Sequence, residues 1–337
     1  MQYDTAVVIG RFEPAHNAHI RLIKEARSRA HQVIVIIGSS FLPRTYKNPF
    51  TFAERKAMLE SSLGDTSGVI IVPNTDSMYD NTAWSVRIQD IVDEFRAGVT
   101  VALVGHNKDA TTWYLDSFPQ WDFIDIPLSE QLSASDIRDL YFRERPNLNF
   151  IKSVVPTPVL EYMQRFMLTD TYETVLQERL HILKYRQQFS HLQFEPIFVT
   201  ADAVVIQCGH VLMVTRGAEP GKGLLAFPGG FVNASTDRSV EDAAIRELKE
   251  ETGIKVPVPA LRGNIKESRV FDAIDRSSRG RVITHAYKIV LPDGPLPKVR
   301  GMDDAAKAQW IPISKISSED CFEDHFDILQ HFTGASL

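Results

Sequence analysis

Apolar residues in the first half of the chain come in short runs at residues 6–9, 33–37, 69–72 and 99–104. Each is a strand's length, and Gly10, Gly38 and Gly105 stop three of them. Runs this short and this apolar predict strands buried on both faces. Between them, residues 17–30, 52–63 and 82–95 carry the period of a helix. Strands alternating with helices predict an α/β, Rossmann-like domain with a parallel, doubly wound sheet. Ligands of such sheets sit beyond the carboxyl ends of the strands, where Gly10 and Gly105 fall.

The pattern then changes. Residues 168–192 are polar and helix-favouring and read as a connecting helix or two. Glu195-Pro196 opens a region of β-type runs at 197–200, 203–207 and 211–215. One long helix follows at 239–252, then strands around 281–291. Strands around one central helix predict a second, α+β domain. We divide the chain into a first domain at 1–168, a helical linker at 169–194 and a second domain at 195–337. A length of 337 residues fits two cores better than one.

Composition narrows the classes. With 44% hydrophobic and 24% charged residues the chain is globular. A net charge of −6 argues against nucleic-acid binding, which needs a basic face. Cys208 and Cys321 are far apart and lack metal-type spacing, which suits a reduced, cytoplasmic protein. No run approaches the roughly 20 apolar residues of a membrane span, and nothing at the N-terminus reads as a signal peptide. Oligomeric state is left open, a homo-oligomer included.

The first candidate site is the run Gly10-Arg11-Phe12-Glu13-Pro14-Ala15-His16-Asn17-Ala18-His19. Gly10 permits a tight turn and close backbone approach, and Pro14 stiffens the loop. The helix that follows offers free N–H groups and a positive dipole end to a phosphate. His16 and His19, three apart, can point to one side of its first turn. With Arg11 they would cradle a triphosphate; taken alone, they are also compatible with two surface histidines.

Further segments follow in order: Arg44-Thr45-x-Lys47-Asn48-Pro49-Phe50-Thr51-Phe52-x-Glu54-Arg55; Tyr79-Asp80-Asn81-x-x-Trp84; Gly105-His106-Asn107-Lys108-Asp109 with Phe118-Pro119-Gln120-Trp121; and Ser133-Ala134-Ser135-Asp136-Ile137-Arg138. On these segments residues 1–165 resemble the nucleotidyltransferases with a His-x-Gly-His turn. More narrowly, they are similar to the archaeal-type nicotinamide mononucleotide (NMN) adenylyltransferases. The resemblance implies transfer of AMP from ATP to NMN, giving NAD and pyrophosphate, with Mg2+ as counter-charge and Mn2+ as the other candidate. It implies ATP contacts at Gly10, Arg11, Phe12, His16, His19, Gly105, Lys108, Asp109, Ser133, Ser135 and Arg138. His16, His19 and Arg138 would be catalytic. Arg44, Asp80, Asn81 and Trp84 would receive NMN, the indole stacking on its cationic ring; on its own, Trp84 also reads as a core aromatic. Two positions depart from the pattern: Ala18 replaces the motif's glycine, and Glu13 stands where glutamine is expected.

The second candidate site begins at Phe227-Pro228-Gly229-Gly230 and runs through the helix to Gly253. Ser239 and Asp242 form a capping pair, Gly253 suits a helix end, and Val240, Ala244 and Leu248 make the buried stripe. Glu247, Glu250 and Glu251 crowd one face, and a hard divalent cation would relieve their repulsion. A solvated acidic face is the plain alternative. The pattern Arg-Glu-hydrophobic-x-Glu-Glu-x-Gly after a Gly-Gly turn resembles the Nudix box. That implies a metal site at Glu247, Glu250 and Glu251, with Glu250 and Glu251 catalytic and Arg246 bracing a glutamate. The box's first glutamate is Arg238 here, after a loop about two residues longer than usual; Asp237 is the candidate substitute.

Residues 270–286 and Met302-Asp303-Asp304 resemble the ADP-ribose-cleaving Nudix domains fused to an NMN adenylyltransferase, in the same domain order. That implies hydrolysis of ADP-ribose to AMP and ribose 5-phosphate, with Arg276, Arg279 and Arg281 gripping substrate; each also reads as a solvated hairpin arginine. The expected ligands are therefore ATP, NMN, NAD and ADP-ribose. The rivals are a catalytically weak ADP-ribose sensor as second domain, a transcription repressor, and a first domain with another acceptor, such as pantetheine phosphate or a cytidylyl substrate.

Overall fold

The structure is a computed structural model that describes residues 2–106, 110–127 and 133–334. It divides into two compact units, Met1–Arg179 and Leu180–Leu337. The first holds β1 (Tyr3–Gly10), α1 (Asn17–Arg29), β2 (Ala30–Ile37), α2 (Phe52–Leu63), β3 (Val69–Pro73), α3 (Asn81–Phe95), β4 (Val101–Gly105), β5 (Asp122–Asp125), α4 (Ala134–Tyr141), α5 (Leu148–Val154), α6 (Thr157–Phe166) and the start of α7 (Asp170–Gln187).

Its five strands are all parallel, in the order β3-β2-β1-β4-β5. The chain winds from β1 outward through β2 to β3, then returns to the other side of β1 for β4 and β5. The order therefore reverses between β1 and β4, and the crevice beyond their carboxyl ends lies at Gly10 and Gly105. Val7, Ile34, Ile36, Val72 and Leu103 from the sheet pack with Ile88 and Val92 of α3. The apolar runs are strands because both faces of this sheet are covered. β5 has no counterpart in the sequence pattern: it is a four-residue edge strand in which only Ile124 is buried.

The second unit contains β6 (Ile197–Gln207), β7 (His210–Arg216), β8 (Leu225–Ala226), β9 (Gly229–Phe231), α8 (Val240–Thr252), α9 (Val258–Gly263), β10 (Ile265–Phe271), β11 (Arg281–Val290), β12 (Ala305–Pro312) and α10 (His325–Thr333). The sheet is mixed, in the order β10-β11-β6-β7-β12, with β8 on β7 and β9 on β6. Among the described strands of this sheet, β6 and β11 alone pair with one another in parallel. The two runs expected at 197–200 and 203–207 form one strand. Asp202 does not break it, because its carboxylate is buried and accepts a hydrogen bond from the Thr284 hydroxyl on neighbouring β11.

Helix α8 packs Ile245 and Leu248 against Ala203, Val205, Leu212 and Ile289. Ser239 caps its start by accepting the Asp242 N–H at 3.1 Å. Gly253 ends it at φ 59°, a left-handed turn that glycine adopts without steric cost. Between these caps the glutamates are fixed in rotation: Leu248 faces the core, Glu247 and Glu251 lie against β9, and Glu250 pairs with Arg246. Among the described residues, no helix is long and apolar enough to cross a membrane.

Candidate active sites

In the first unit, β1 ends at Gly10, where a Cβ would lie 3.1 Å from the Phe12 ring. Phe12 itself turns back at φ 54° and is buried. The chain then enters α1 with His16 as N-cap and His19 one turn on. The two imidazoles stack with centroids 3.6 Å apart, and the His16 N–H donates to His19 Nδ1 at 3.3 Å. Burial pushes the His16 pKa down to about 4. His19 lies well below the usual histidine range, through burial and then through its neighbour. Both rings are therefore neutral at pH 7, and His16 Nδ1 is buried without a protein partner.

Under this turn lies a charge network that the sequence did not reveal. Glu13 is fully buried, with Oε1 3.1 Å from Arg55 Nε. Burial pushes its carboxyl up to about 8, against the pull of Arg55 and Arg138. Arg55 also donates to the carbonyls of Arg11, Gly38 and Ser39, tying together the loops that leave β1 and β2. Arg138, on α4, donates to the Glu13 carbonyl at 2.6 Å and to Ser135 Oγ at 3.0 Å; its Nε is buried without a protein partner. Arg11 is exposed and close enough to act electrostatically on Arg138 and Glu13. The three guanidiniums share Glu13 with further acids, Asp76 and Glu54 acting on Arg55 and Asp139 on Arg138.

The other expected residues are placed as follows. Ser133 caps α4, its Oγ accepting the Asp136 N–H at 3.3 Å. At Gly105, a Cβ would sit 3.0 Å from Leu115. Asp80 caps α3 by accepting the Ala83 N–H at 2.8 Å, and Asn81 follows, exposed. Trp84 is half-buried, 6.0 Å from both Tyr114 and Phe118. Arg44 is engaged elsewhere, its fork paired with Glu54 at 2.8 Å and with the Pro49 carbonyl. Lys108 and Asp109 lie outside the described residues.

In the second unit, Gly230 lets β9 settle directly onto α8, and Gly229 lets it lie close against β6. A Cβ on Gly230 would lie 2.5 Å from Glu247 Oε1, and one on Gly229 2.3 Å from Asp202 Oδ1. The Gly229 N–H donates to Glu251 Oε2 at 3.0 Å. Burial, with Glu247 and Asp202 nearby, pushes the Glu251 carboxyl up to about 8, and burial also raises Glu247. Glu247 and Glu250 share Arg246 Nη1, at 2.8 and 2.9 Å. The rest of that guanidinium meets Asp237: Nε to Oδ1 at 2.9 Å and Nη2 to Oδ2 at 2.8 Å. With Glu247 and Glu250 turned onto Arg246, no three acidic, histidine or cysteine side chains among the described residues converge as metal ligands. The donor set nonetheless fits a divalent cation, because carboxylate oxygens are the hard ligands that such ions take.

A cavity of about 550 Å3 opens over this helix, lined by Glu247, Glu250 and Glu251 and by Arg216, Arg279, Asp303 and Asp304 among others. Of the three arginines expected at the substrate, Arg279 lines this cavity. Arg276 is buried, with Nε and Nη2 each 2.8 Å from Asp324. Arg281 is turned to the Asp272 carbonyl. Arg216, at the end of β7, was missed by sequence reasoning. Its only local signal is a charge closing an apolar strand.

A cytidylyltransferase-like family model matches residues 7–154, and a NUDIX domain model matches residues 196–332. A nicotinamide/nicotinic acid mononucleotide adenylyltransferase from Acinetobacter baylyi is 30% identical over 192 residues, 56% of this chain and 97% of that protein. An ADP-ribose pyrophosphatase from Methanocaldococcus jannaschii is 33% identical over 118 residues, 35% of this chain and 63% of that protein. Along nearly the whole chain, the fold matches the crystal structure of a bifunctional NMN adenylyltransferase/ADP-ribose pyrophosphatase from Francisella tularensis. The TM-score is 0.92 and the identity 34%, covering 98% of this chain and 99% of that one. A second structure of that kind from the same organism, complexed with AMP and a manganese ion, matches with a TM-score of 0.89. The chain belongs to the family of bifunctional NMN adenylyltransferase/ADP-ribose pyrophosphatases.

Proposed function

We infer that this protein is a bifunctional enzyme of NAD metabolism. Its first unit transfers the adenylyl group of ATP to NMN, and its second hydrolyses ADP-ribose to AMP and ribose 5-phosphate. The observation that carries this reading is the end-to-end likeness to a bifunctional enzyme in a chain whose two units each hold a chemically coherent site.

In the transferase, the NMN 5′-phosphate attacks the α-phosphorus of ATP and pyrophosphate leaves. No enzyme nucleophile is needed, so positioning and charge stabilisation carry the rate. Arg11, Arg138 and the His16–His19 pair, neutral before ATP arrives, would hold the triphosphate, with the open Nε of Arg138 and Nδ1 of His16 as unsatisfied partners. The α1 and α4 N-termini, the latter with Ser133 and Ser135, would add N–H groups. Gly10, Phe12 and Gly105 would shape the crevice for ATP. Asp80, Asn81 and Trp84 would receive NMN; Arg44, paired with Glu54, would shape that side rather than donate freely. Lys108 and Asp109 are proposed to border the nucleotide.

In the hydrolase, Glu247, Glu250 and Glu251 would hold a divalent cation, Mg2+ or Mn2+. When bound, it supplies charge that polarises the pyrophosphate and acidifies water. Arg216 and Arg279 would grip the diphosphate. Arg276 would act indirectly, holding Asp324 beneath the loop that carries Arg279, and Arg281 would brace that loop. Asp237 would take the part of the glutamate missing at Arg238, which supports hydrolysis over mere sensing. The test is a product assay of the purified protein against ATP plus NMN and against ADP-ribose, with and without Mg2+ or Mn2+. NAD from the first pair and AMP from the second are expected; absence of either product removes that activity.

A further inference from the structure

We propose that the last turns of α7 belong to the hydrolase site, with Tyr185 and His181 forming the surface on which the purine base of its substrate stacks. The proposal rests on the reading of the second unit as an ADP-ribose hydrolase. By sequence this stretch is only a polar connecting helix. In the structure His181 and Tyr185, four apart and so on one helical face, both line the 550 Å3 cavity that also holds the α8 glutamates.

Three observations support the role. First, the Tyr185 ring is held in place by other rings: Phe189 at 5.4 Å, Phe198 at 6.1 Å and, beyond Phe198 by 5.7 Å, Phe231. Phe231 itself lines the cavity. Second, Arg186 Nε donates to the Ser278 carbonyl at 2.9 Å, fastening α7 to the residue before Arg279. The Arg279 guanidinium lies 5.2 Å over Phe231, and its charge reaches the Tyr185 hydroxyl. The helix thus helps to place the cation proposed for the diphosphate. Third, the lining divides chemically. Carboxylates suit a cation and ribose hydroxyls, and Arg216 and Arg279 suit phosphate. A flat, uncharged base matches only the rings, and His181, Tyr185 and Phe231 are the ones available, since Phe227 is 1% exposed.

The test uses the full chain with ADP-ribose and Mg2+. Stacking of a base on an aromatic side chain is worth enough that Tyr185→Ala should raise KM about tenfold. Its kcat should stay within about threefold, because the contact is equal in ground and transition states. Tyr185→Phe should behave as wild type. Exposed His181→Ala should raise KM less and without disturbing the fold. Preference for ADP-ribose over a uridine diphosphate sugar should narrow in Tyr185→Ala, and adenylyl transfer should not change. Calorimetric binding of AMP with Mn2+, free of turnover, should weaken in parallel. Unchanged KM and AMP affinity in Tyr185→Ala would overturn the proposal, as would a loss confined to kcat. A wild-type protein that leaves ADP-ribose intact would sink the hydrolase reading instead. AMP affinity in the two alanine variants would then decide the stacking surface by itself.

Discussion

The two sites handle phosphate from opposite electrostatic starting points. The transferase crevice is built from guanidiniums and neutral imidazoles gathered on backbone turns, and an anion can enter it directly. The hydrolase cavity presents three glutamates from one helix, and its substrate is itself an anion, so a cation must come between them. In the first, buried Glu13 and Arg55 secure the turn from below. In the second, Arg246 gathers Asp237, Glu247 and Glu250 from the surface side. A protein that must bind phosphate twice presents guanidiniums and imidazoles in one site and a cluster of glutamates in the other.

Reciprocal knockouts break this comparison most sharply. His19→Ala should lower NAD formation by at least about a hundredfold and leave ADP-ribose hydrolysis alone. Glu251→Gln should do the reverse, read in the same two assays. If either variant loses both activities while staying folded, the sites are not independent. Next comes stability. Arg276→Ala strands buried Asp324 and should destabilise the second unit by about 3–5 kcal/mol in denaturant unfolding. Arg279→Ala should instead raise the KM for ADP-ribose with little change in stability. A KM effect from Arg276→Ala at full stability would return it to the substrate.

Asp237→Ala should lower hydrolysis about ten- to a hundredfold, as loss of an outer-shell partner typically does. It should also weaken Mn2+ binding in titrations without substrate. Arg238→Glu alone should change the rate by less than about twofold, because Arg246 is already paired. In the Asp237→Ala background it should restore activity; failure to do so would mean that residue 238 cannot reach Arg246.

The smallest effect concerns protons. A histidine buried neutral contributes stability above its unfolded pKa of about 6.5. That contribution is lost as pH falls from there toward the His16 value of about 4. A triphosphate reverses the preference by favouring charged rings, so ATP binding should take up protons and tighten by under about tenfold per unit between pH 7 and 5. Calorimetry in two buffers of different ionisation enthalpy measures the uptake; none would place the phosphates away from His16 and His19.

Sequence was a good guide wherever one segment carries the whole signal. Residues 33–37 read as a strand because both faces are buried, and residues 52–63 read as a helix from their period alone. The three glutamates share a face because helical spacing alone puts them there. It failed where the partner is distant in the chain. Asp122-Phe123-Ile124-Asp125 hides a strand because an edge with exposed residues has no apolar run. Asp202 looked like a break, since Thr284, which makes its burial tolerable, lies 82 residues away. Arg276 and Arg279 are indistinguishable in sequence; only the fold shows one committed to Asp324 and the other facing the cavity. Glu13, Arg55, Arg216, His181 and Tyr185 acquire their neighbours only on folding.

The Arg246 fork has a consequence for how such enzymes diverge. Its donors spread over several directions, and a carboxylate arriving from residue 237 pairs with it at 2.8–2.9 Å. Drift in the preceding loop is then tolerated so long as some acid lands on the fork, and a lengthened loop need not end catalysis. What this chain keeps is a pairing in space. A search keyed to the letter at a fixed offset would pass over chains that keep the pairing and have lost the letter.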